Sequence, residues 1–293
     1  MAAAGAAVQG FSWNRVVDFS DYGALLALVR DSILAGAILG VLAGLMSVMV
    51  MARDLAFAVH GISELSFAGA AGALLLGASV AIGSIAGSLI AATVIGALGA
   101  RARDRNSIVG VLMPFGLGLG VLFLALYDGR AANKFGLLTG QIVAVDTPQL
   151  GALALVAAVV LAAMAVLWRP LHFASQDPEV AAARGVPVRA LSAAFMLLLG
   201  LTVAMSVQIV GALLVLSILV TPAAAAMRIS AAPARTVLLS VGFAVVSVVG
   251  GILIALGGSL PISPYITTLS FAIYVMCRIV AAARGRRAEE ALL

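Results

Sequence analysis

Near the middle of the apolar stretch 55–76 stands a carboxylate, Glu64, with His60 four residues before it and Ser63 beside it. A carboxylate at membrane depth costs at least about 2–3 kcal/mol, so it must face a cavity or a partner. The i, i+4 spacing places His60 and Glu64 on one face of a helix. An imidazole nitrogen with a carboxylate oxygen suits a borderline divalent cation such as zinc or manganese. One such pair from each of two subunits would supply four ligands across a symmetric pore. Two other chemistries use the same residues: a proton relay through Glu64, and a structural hydrogen bond from Glu64, neutral or paired with His60, to a neighbouring helix. A Ser63–His60 hydrolase is disfavoured, because no glycine-flanked nucleophile turn occurs and neighbours on one helix do not form the line of attack. His172, expected in a loop, reads as a solvated or interfacial histidine.

The elements that must position these groups follow from composition. The chain has 293 residues, 63% hydrophobic and 10% charged, with a mean hydropathy of +1.20. Soluble domains carry about 45–50% apolar and about 25% charged residues, so a water-soluble fold is excluded, as are a disordered chain and a collagen-like fibre. The single cysteine, Cys277, excludes an internal disulfide and a cysteine metal cluster. Apolar stretches reach the length of about 20 residues that a bilayer core requires. The expected fold is all-α: a polytopic transmembrane bundle of eight or nine spans. The candidates are 32–51, 55–76, 78–100, 107–127, 150–168, 191–207, 209–227, 236–256 and 265–280. Only Gln208 separates the sixth from the seventh, so a kink or re-entrant feature at 206–211 would reduce nine crossings to eight; nine is the working count.

Charge sorting sets the orientation. In the nine-span arrangement all but four of the 17 basic residues fall on one side, and the positive-inside rule makes that side cytoplasmic. The exceptions are Arg15, Arg30, Arg130 and Lys134. The amino terminus is then outside and the carboxyl terminus inside. Residues 1–31 form a polar or interfacial segment, in which 18–30 reads either as a surface helix or as a solvated terminus, with no signal-peptide pattern. Residues 32–280 form the membrane domain and 281–293 a basic cytoplasmic tail. Gly36, Gly40 and Gly44, and Gly83 with Gly87, recur at the spacing that lets helices approach closely. Pro114 with Gly116, Gly118 and Gly120 predicts a kinked or broken fourth span.

The loop 169–190 carries a helix signature. Asp177 can cap it, Pro178 suits the first position, Glu179 favours the positive end of the dipole, and Gly185 can close it after Arg184. This short helix at 178–184 reads as a coupling element for a cytosolic motor subunit, or simply as a solvated loop helix. The chain holds no glycine-lysine phosphate loop, so any ATP is hydrolysed on another chain.

Three ordered stretches carry a resemblance. The first runs from Arg53 through His60, Ser63 and Glu64 to Gly69; the second from Phe173 through Asp177, Pro178, Glu179, Arg184 and Gly185 to Pro187; the third from Gln208 through Gly211 to Pro222. Together they resemble the permeases of zinc and manganese ABC importers, the ABC-3 type, over roughly residues 32–280. The outer-loop stretch Gly136–Gly140 is a weaker match. In that family an aspartate and a histidine occupy the positions held here by His60 and Glu64. Ser63 and Gly69 match, and Ala68 stands where a proline is usual.

The resemblance implies a homodimeric permease with two cytosolic ATP-binding subunits, fed by an extracytoplasmic metal-binding protein in the bacterial plasma membrane. It implies a transport subunit that is not itself an enzyme and holds no cofactor, with zinc ahead of manganese as the transported substrate. His60 and Glu64 are the expected transient metal contacts or gate, with Ser63 and Gln208 as secondary candidates. Asp177, Pro178, Glu179, Arg184 and Gly185 are the expected coupling to the ATPase. Two alternatives stay open: an ABC permease for a metal chelate or siderophore, and a secondary cation transporter or channel using Glu64.

Overall fold

Long apolar runs with few internal polar groups satisfy their backbone only as helices, the requirement that lipid imposes. The structure, a computed structural model, describes residues 28–99, 102–129, 145–256 and 261–290, with positions 23, 26, 136, 137 and 140. Among these residues there are helices and no strand. They are α1 (Arg30–Ala52), α2 (Ala56–Leu75), α3 (Val80–Leu98), α4 (Ala102–Leu126), α5 (Thr147–Gln176), the short α6 (Pro178–Ala183) and α7 (Val188–Val210). A 3-10 turn (Ala212–Leu214) follows, then α8 (Val215–Leu219), α9 (Thr221–Ile229), α10 (Pro233–Ala255) and α11 (Ile262–Glu290). Among the described residues, 8 helices are long and apolar enough to cross a membrane: α1, α2, α3, α4, α5, α7, α10 and α11.

Of the expected eight or nine spans, the seventh candidate, 209–227, is the one that is not a continuous helix. It is interrupted twice. Gly211 ends α7 with φ +92, a conformation an L side chain rarely adopts. Pro222 lacks the backbone N–H that would bond Ile218 O and is tolerated only in a first turn, so a new helix, α9, begins around it and the chain breaks at Val220, φ −127, between α8 and α9. Side chains from other helices take up the freed groups. Ser263 of α11 donates to Val210 O at 3.2 Å, Ser270 donates to Ser217 O at 3.1 Å, and Ser47 of α1 accepts from Ala223 N at 3.2 Å.

These contacts fix the path of the broken segment. Val210 lies level with the start of α11, and Ser230 lies level with the start of α10, where Thr236 donates to its carbonyl at 3.2 Å. The 3-10 turn, α8 and α9 therefore traverse the bundle in pieces. For that reason Arg53, Arg105, Arg184, Arg189, Arg228, Arg235 and Arg284 share one end, the basic end, as the charge sorting expects.

Glycine sets the packing at two interfaces. A Cβ on Gly44 would lie 2.6 Å from Val241 Cα, and one on Gly69 2.2 Å from Gly83 O. Only the absence of side chains lets α1 meet α10, and α2 meet α3, at that distance. The central helices α1, α2 and α7 are largely buried, whereas α4, α5 and α11 leave most of their apolar surface exposed.

Three further expectations meet the structure differently. α4 runs unbroken through Pro114. α5 continues through Arg169 and Pro170 to Gln176, so His172 belongs to a helix and not to a loop, and its ring stacks on Trp168 at 6.5 Å. α11 extends as helix into the expected tail, to Glu290. The surface-helix reading of 18–30 falls largely outside the described residues, as do positions 138 and 139 of the stretch 136–140 and the last three positions.

Candidate functional site

α2 carries His60, Ser63 and Glu64, and it is held between α3 and α4. Its flank against α4 is built on small residues. Gly116 faces the backbone of Glu64, where a Cβ would come within 3.0 Å of Glu64 C, and Gly61 faces Val109. That close approach buries Glu64 at 3% exposure. His60 Nε2 lies 3.8 Å from Glu64 Oε1, with 28% of the histidine side chain exposed and 4% of the glutamate. The pair thus has one face toward open space and the other in the bundle. It is the geometry that i, i+4 spacing predicts, and the arrangement can offer one imidazole nitrogen and carboxylate oxygens to a single cation.

The two secondary candidates stand differently. Ser63 is fully buried and its hydroxyl donates to His60 O at 2.8 Å, within its own helix. That is the back-bonding habit of a helical serine, not an orientation toward a ligand. Gln208 lies in the last turn of α7, at the end of the bundle away from the arginines, where Nε2 donates to Ala204 O at 3.4 Å. It lines a cavity of about 430 Å³ with Gln149, Ser79 and Met205, a cavity that neither His60 nor Glu64 reaches. The structure does not bring Gln208 to the pair.

A hydroxyl chain ties α2 to α7 through α3, and its bonds do not include His60 or Glu64. Ser66, two residues beyond Glu64, shares a 2.8 Å hydrogen bond with Ser84 of α3, and Ser84 donates to Ala204 O at 3.2 Å. Ser66 and Ser84 are both fully buried. Among the described residues no group of three or more His, Cys, Asp and Glu side chains is placed to hold a metal ion. A single chain therefore contributes two ligands at most from the pair.

At the basic end the stretch 177–185 folds as its residue types dictate. Asp177 caps α6, its Oδ1 accepting from Glu179 N at 3.1 Å and Val180 N at 3.0 Å. Pro178 takes the first turn, where its missing N–H costs nothing. Arg184 closes the helix and Gly185 follows at φ +80. Ala181 alone is buried, which pins the hook from below. Pro178, Glu179, Arg184 and Gly185 project as an exposed knob.

One residue at the basic end has contacts that no local pattern announces beyond its place in a motif. Arg53, at the end of α1, donates from Nη1 to Ser175 Oγ at 3.2 Å and from Nη2 to Ser192 Oγ. Its guanidinium also lies 5.6 Å over the Phe195 ring. Burial, with the Arg105 guanidinium beside it, holds its pKa below the usual arginine value. These partners are 122 and 139 residues away, and no local pattern points to them.

Comparison with known proteins agrees with this architecture. The chain is 28% identical over 225 residues to the manganese transport system membrane protein MntC of Halalkalibacterium halodurans, covering 76% of this chain and 77% of that protein. It is 24% identical over 253 residues to the high-affinity zinc uptake system membrane protein ZnuB of Haemophilus influenzae, covering 86% and 97%. Its fold superimposes on the solved structure of PsaBC from Streptococcus pneumoniae in complex with Fab with a TM-score of 0.79, at 23% identity over 88% of this chain and 95% of that one. It also superimposes on an inward-facing metal-chelate type ABC transporter with a TM-score of 0.71, at 17% identity over 90% and 92%. The model of the ABC 3 transport family matches residues 26–281, and the chain belongs to that family.

Proposed function

We propose that this chain is the membrane-spanning permease of an ATP-driven importer of a divalent metal, zinc ahead of manganese, working as a homodimer with separate ATP-binding subunits. Membership of the ABC 3 transport family supports the permease role. Relatives named for manganese transport and for zinc uptake support a metal as cargo. The observation that carries the reading is the His60–Glu64 pair, a carboxylate buried in the central helix and joined to a partly exposed imidazole. Burying an ionisable group there is expensive unless it meets a cation or a partner.

Among the described residues the pair belongs to no larger group of metal-binding side chains, and two copies facing each other complete a four-ligand set across the dimer axis. Imidazole with carboxylate suits zinc slightly better than manganese, which prefers oxygen donors alone. Contact in the pathway is weak enough for release, while tight capture belongs to an extracytoplasmic metal-binding protein. The basic end faces the cytoplasm by the positive-inside rule, so the exposed α6 meets the ATP-binding subunits. ATP binding there drives alternation of the opening between the two membrane faces of a plasma-membrane transporter.

Elemental analysis of metal-starved cells with and without this chain tests the reading, in a strain lacking other importers. A selective loss of zinc or manganese, restored by the intact chain, is the expected result. Unchanged content of every divalent metal would reject a free ion as the cargo. ATP-independent uptake by the purified chain alone would reject the importer class.

A further inference from the structure

Resting on the permease reading above, the geometry points to Arg53 as the positioning residue that transmits movement of α6 to the helix carrying His60 and Glu64. Its guanidinium fork reaches both flanks of the α6 hook. Ser175, in the last turn of α5, stands two residues before Asp177, which caps α6, and Ser192 lies in α7 just after the hook returns. Ser175 is itself fastened, donating to Leu171 O at 2.6 Å. Displacement of α6 relative to the bundle moves both hydroxyls, and the rigid planar fork cannot follow one without the other.

The other side of Arg53 leads directly to the pair. Arg53 ends α1, Asp54 turns the chain at φ +53, Leu55 is buried, and His60 lies in the second turn of α2. The turn is closed by Leu55 N donating to Val50 O at 2.9 Å, so it moves as a unit. Arg105 of α4 holds the same turn from beneath, donating to Asp54 O at 3.1 Å and to Arg53 O at 3.5 Å. α4 is the helix whose Gly116 packs on the backbone of Glu64. A single turn thus joins α5 and α7 through a side chain, and α2 and α4 through the backbone.

The choice of residue argues for a role beyond packing. Arg53 is half-buried, and no carboxylate among the described residues pairs with it. It rests on two hydroxyls and an aromatic face, with the like charge of Arg105 nearby. An apolar side chain of similar volume would fill the space without that desolvation cost. What an apolar residue lacks is the directional fork that grips both flanks of α6.

The test uses the complete transporter, two copies of this chain with its ATP-binding subunits, reconstituted in vesicles with the metal-binding protein supplying zinc or manganese. Metal transported per ATP hydrolysed is measured for wild type, for Arg53→Lys, which keeps the charge and loses the fork, and for the double variant Ser175→Ala with Ser192→Ala. Both variants are expected to lower that ratio about tenfold, while ATP hydrolysis and complex assembly stay near wild type. An unchanged ratio in the serine double variant overturns the inference. So does a proportional fall of transport and hydrolysis with loss of assembly in both variants, which marks a purely structural residue. Absence of ATP-driven metal transport by the wild type would count against the permease reading and not against Arg53.

Discussion

His60 and Glu64 face each other across one turn of α2 with Nε2 and Oε1 3.8 Å apart, and the glutamate is the more deeply buried of the two. If they contact the metal, replacing Glu64 by Gln together with His60 by Ala removes uptake to background while the protein still assembles in the membrane. The exchange His60→Asp with Glu64→His keeps one carboxylate and one imidazole on the same face, and uptake survives. Radiolabelled metal uptake in an importer-deficient strain checks both. Background uptake by the exchanged variant would mean that position, and not donor set, decides function.

Ser63 stands beside the pair, yet its hydroxyl is committed to His60 O. Ser63→Ala is therefore expected to leave uptake at wild-type levels and to change stability by less than about 1 kcal/mol. The same uptake assay, read with thermal unfolding in detergent, decides it. A large loss of uptake would make the serine a metal contact.

Gly69 and Gly83 set the distance between α2 and α3, since a Cβ on Gly69 would sit 2.2 Å from Gly83 O. Backbone cannot yield as a flexible side chain can, so Gly69→Ala costs about 1–3 kcal/mol or more. Gly242, with nothing within 4 Å of an added Cβ, is the control. Gly242→Ala gains up to about 1 kcal/mol of helix propensity. Thermal unfolding of the two variants should move in opposite directions.

Ser47 bridges the second break of the interrupted segment, accepting from Ala223 N at 3.2 Å and donating to Val220 O at 3.4 Å. Ser47→Ala leaves a buried donor unmet, at a cost of about 1–3 kcal/mol. Hydrogen exchange should show faster loss of protection at Ala223 than in α10. Unchanged protection would mean that other groups close the break.

Asp177→Ala removes two hydrogen bonds from the start of α6. Loss of such a cap costs about 0.5–2 kcal/mol of helix stability, and a frayed α6 weakens docking of the ATP-binding subunits. Co-purification of those subunits with the variant should fall, while Asp177→Asn, which keeps an accepting oxygen, retains most of it.

The local devices were legible in the residues alone. The i, i+4 relation of His60 and Glu64, the capping of α6 by Asp177 and its closure at Gly185, and the alternation of apolar spans with arginines all depend on neighbours a few positions apart. Short-range geometry determines them wherever the helix ends up in space. The same locality sets the limit at the end of α5. Arg169 and Pro170 mark a boundary in most contexts, but α5 continues through them to Gln176.

What tertiary structure decided is everything that joins distant segments. Gly211 and Pro222 announce interruptions, but that the broken piece still crosses the bundle depends on Ser47, Ser263 and Ser270 from other helices. Gln208 shares a polar character with the pair but lines a cavity that the pair does not reach. The grip of Arg53 on Ser175 and Ser192 has no trace in any local pattern. Composition and period say which face of a helix is apolar and where it ends. Which helix lies against that face, and which hydroxyl meets a freed carbonyl, is settled only when the glycine-lined surfaces close and every buried polar group must find its partner.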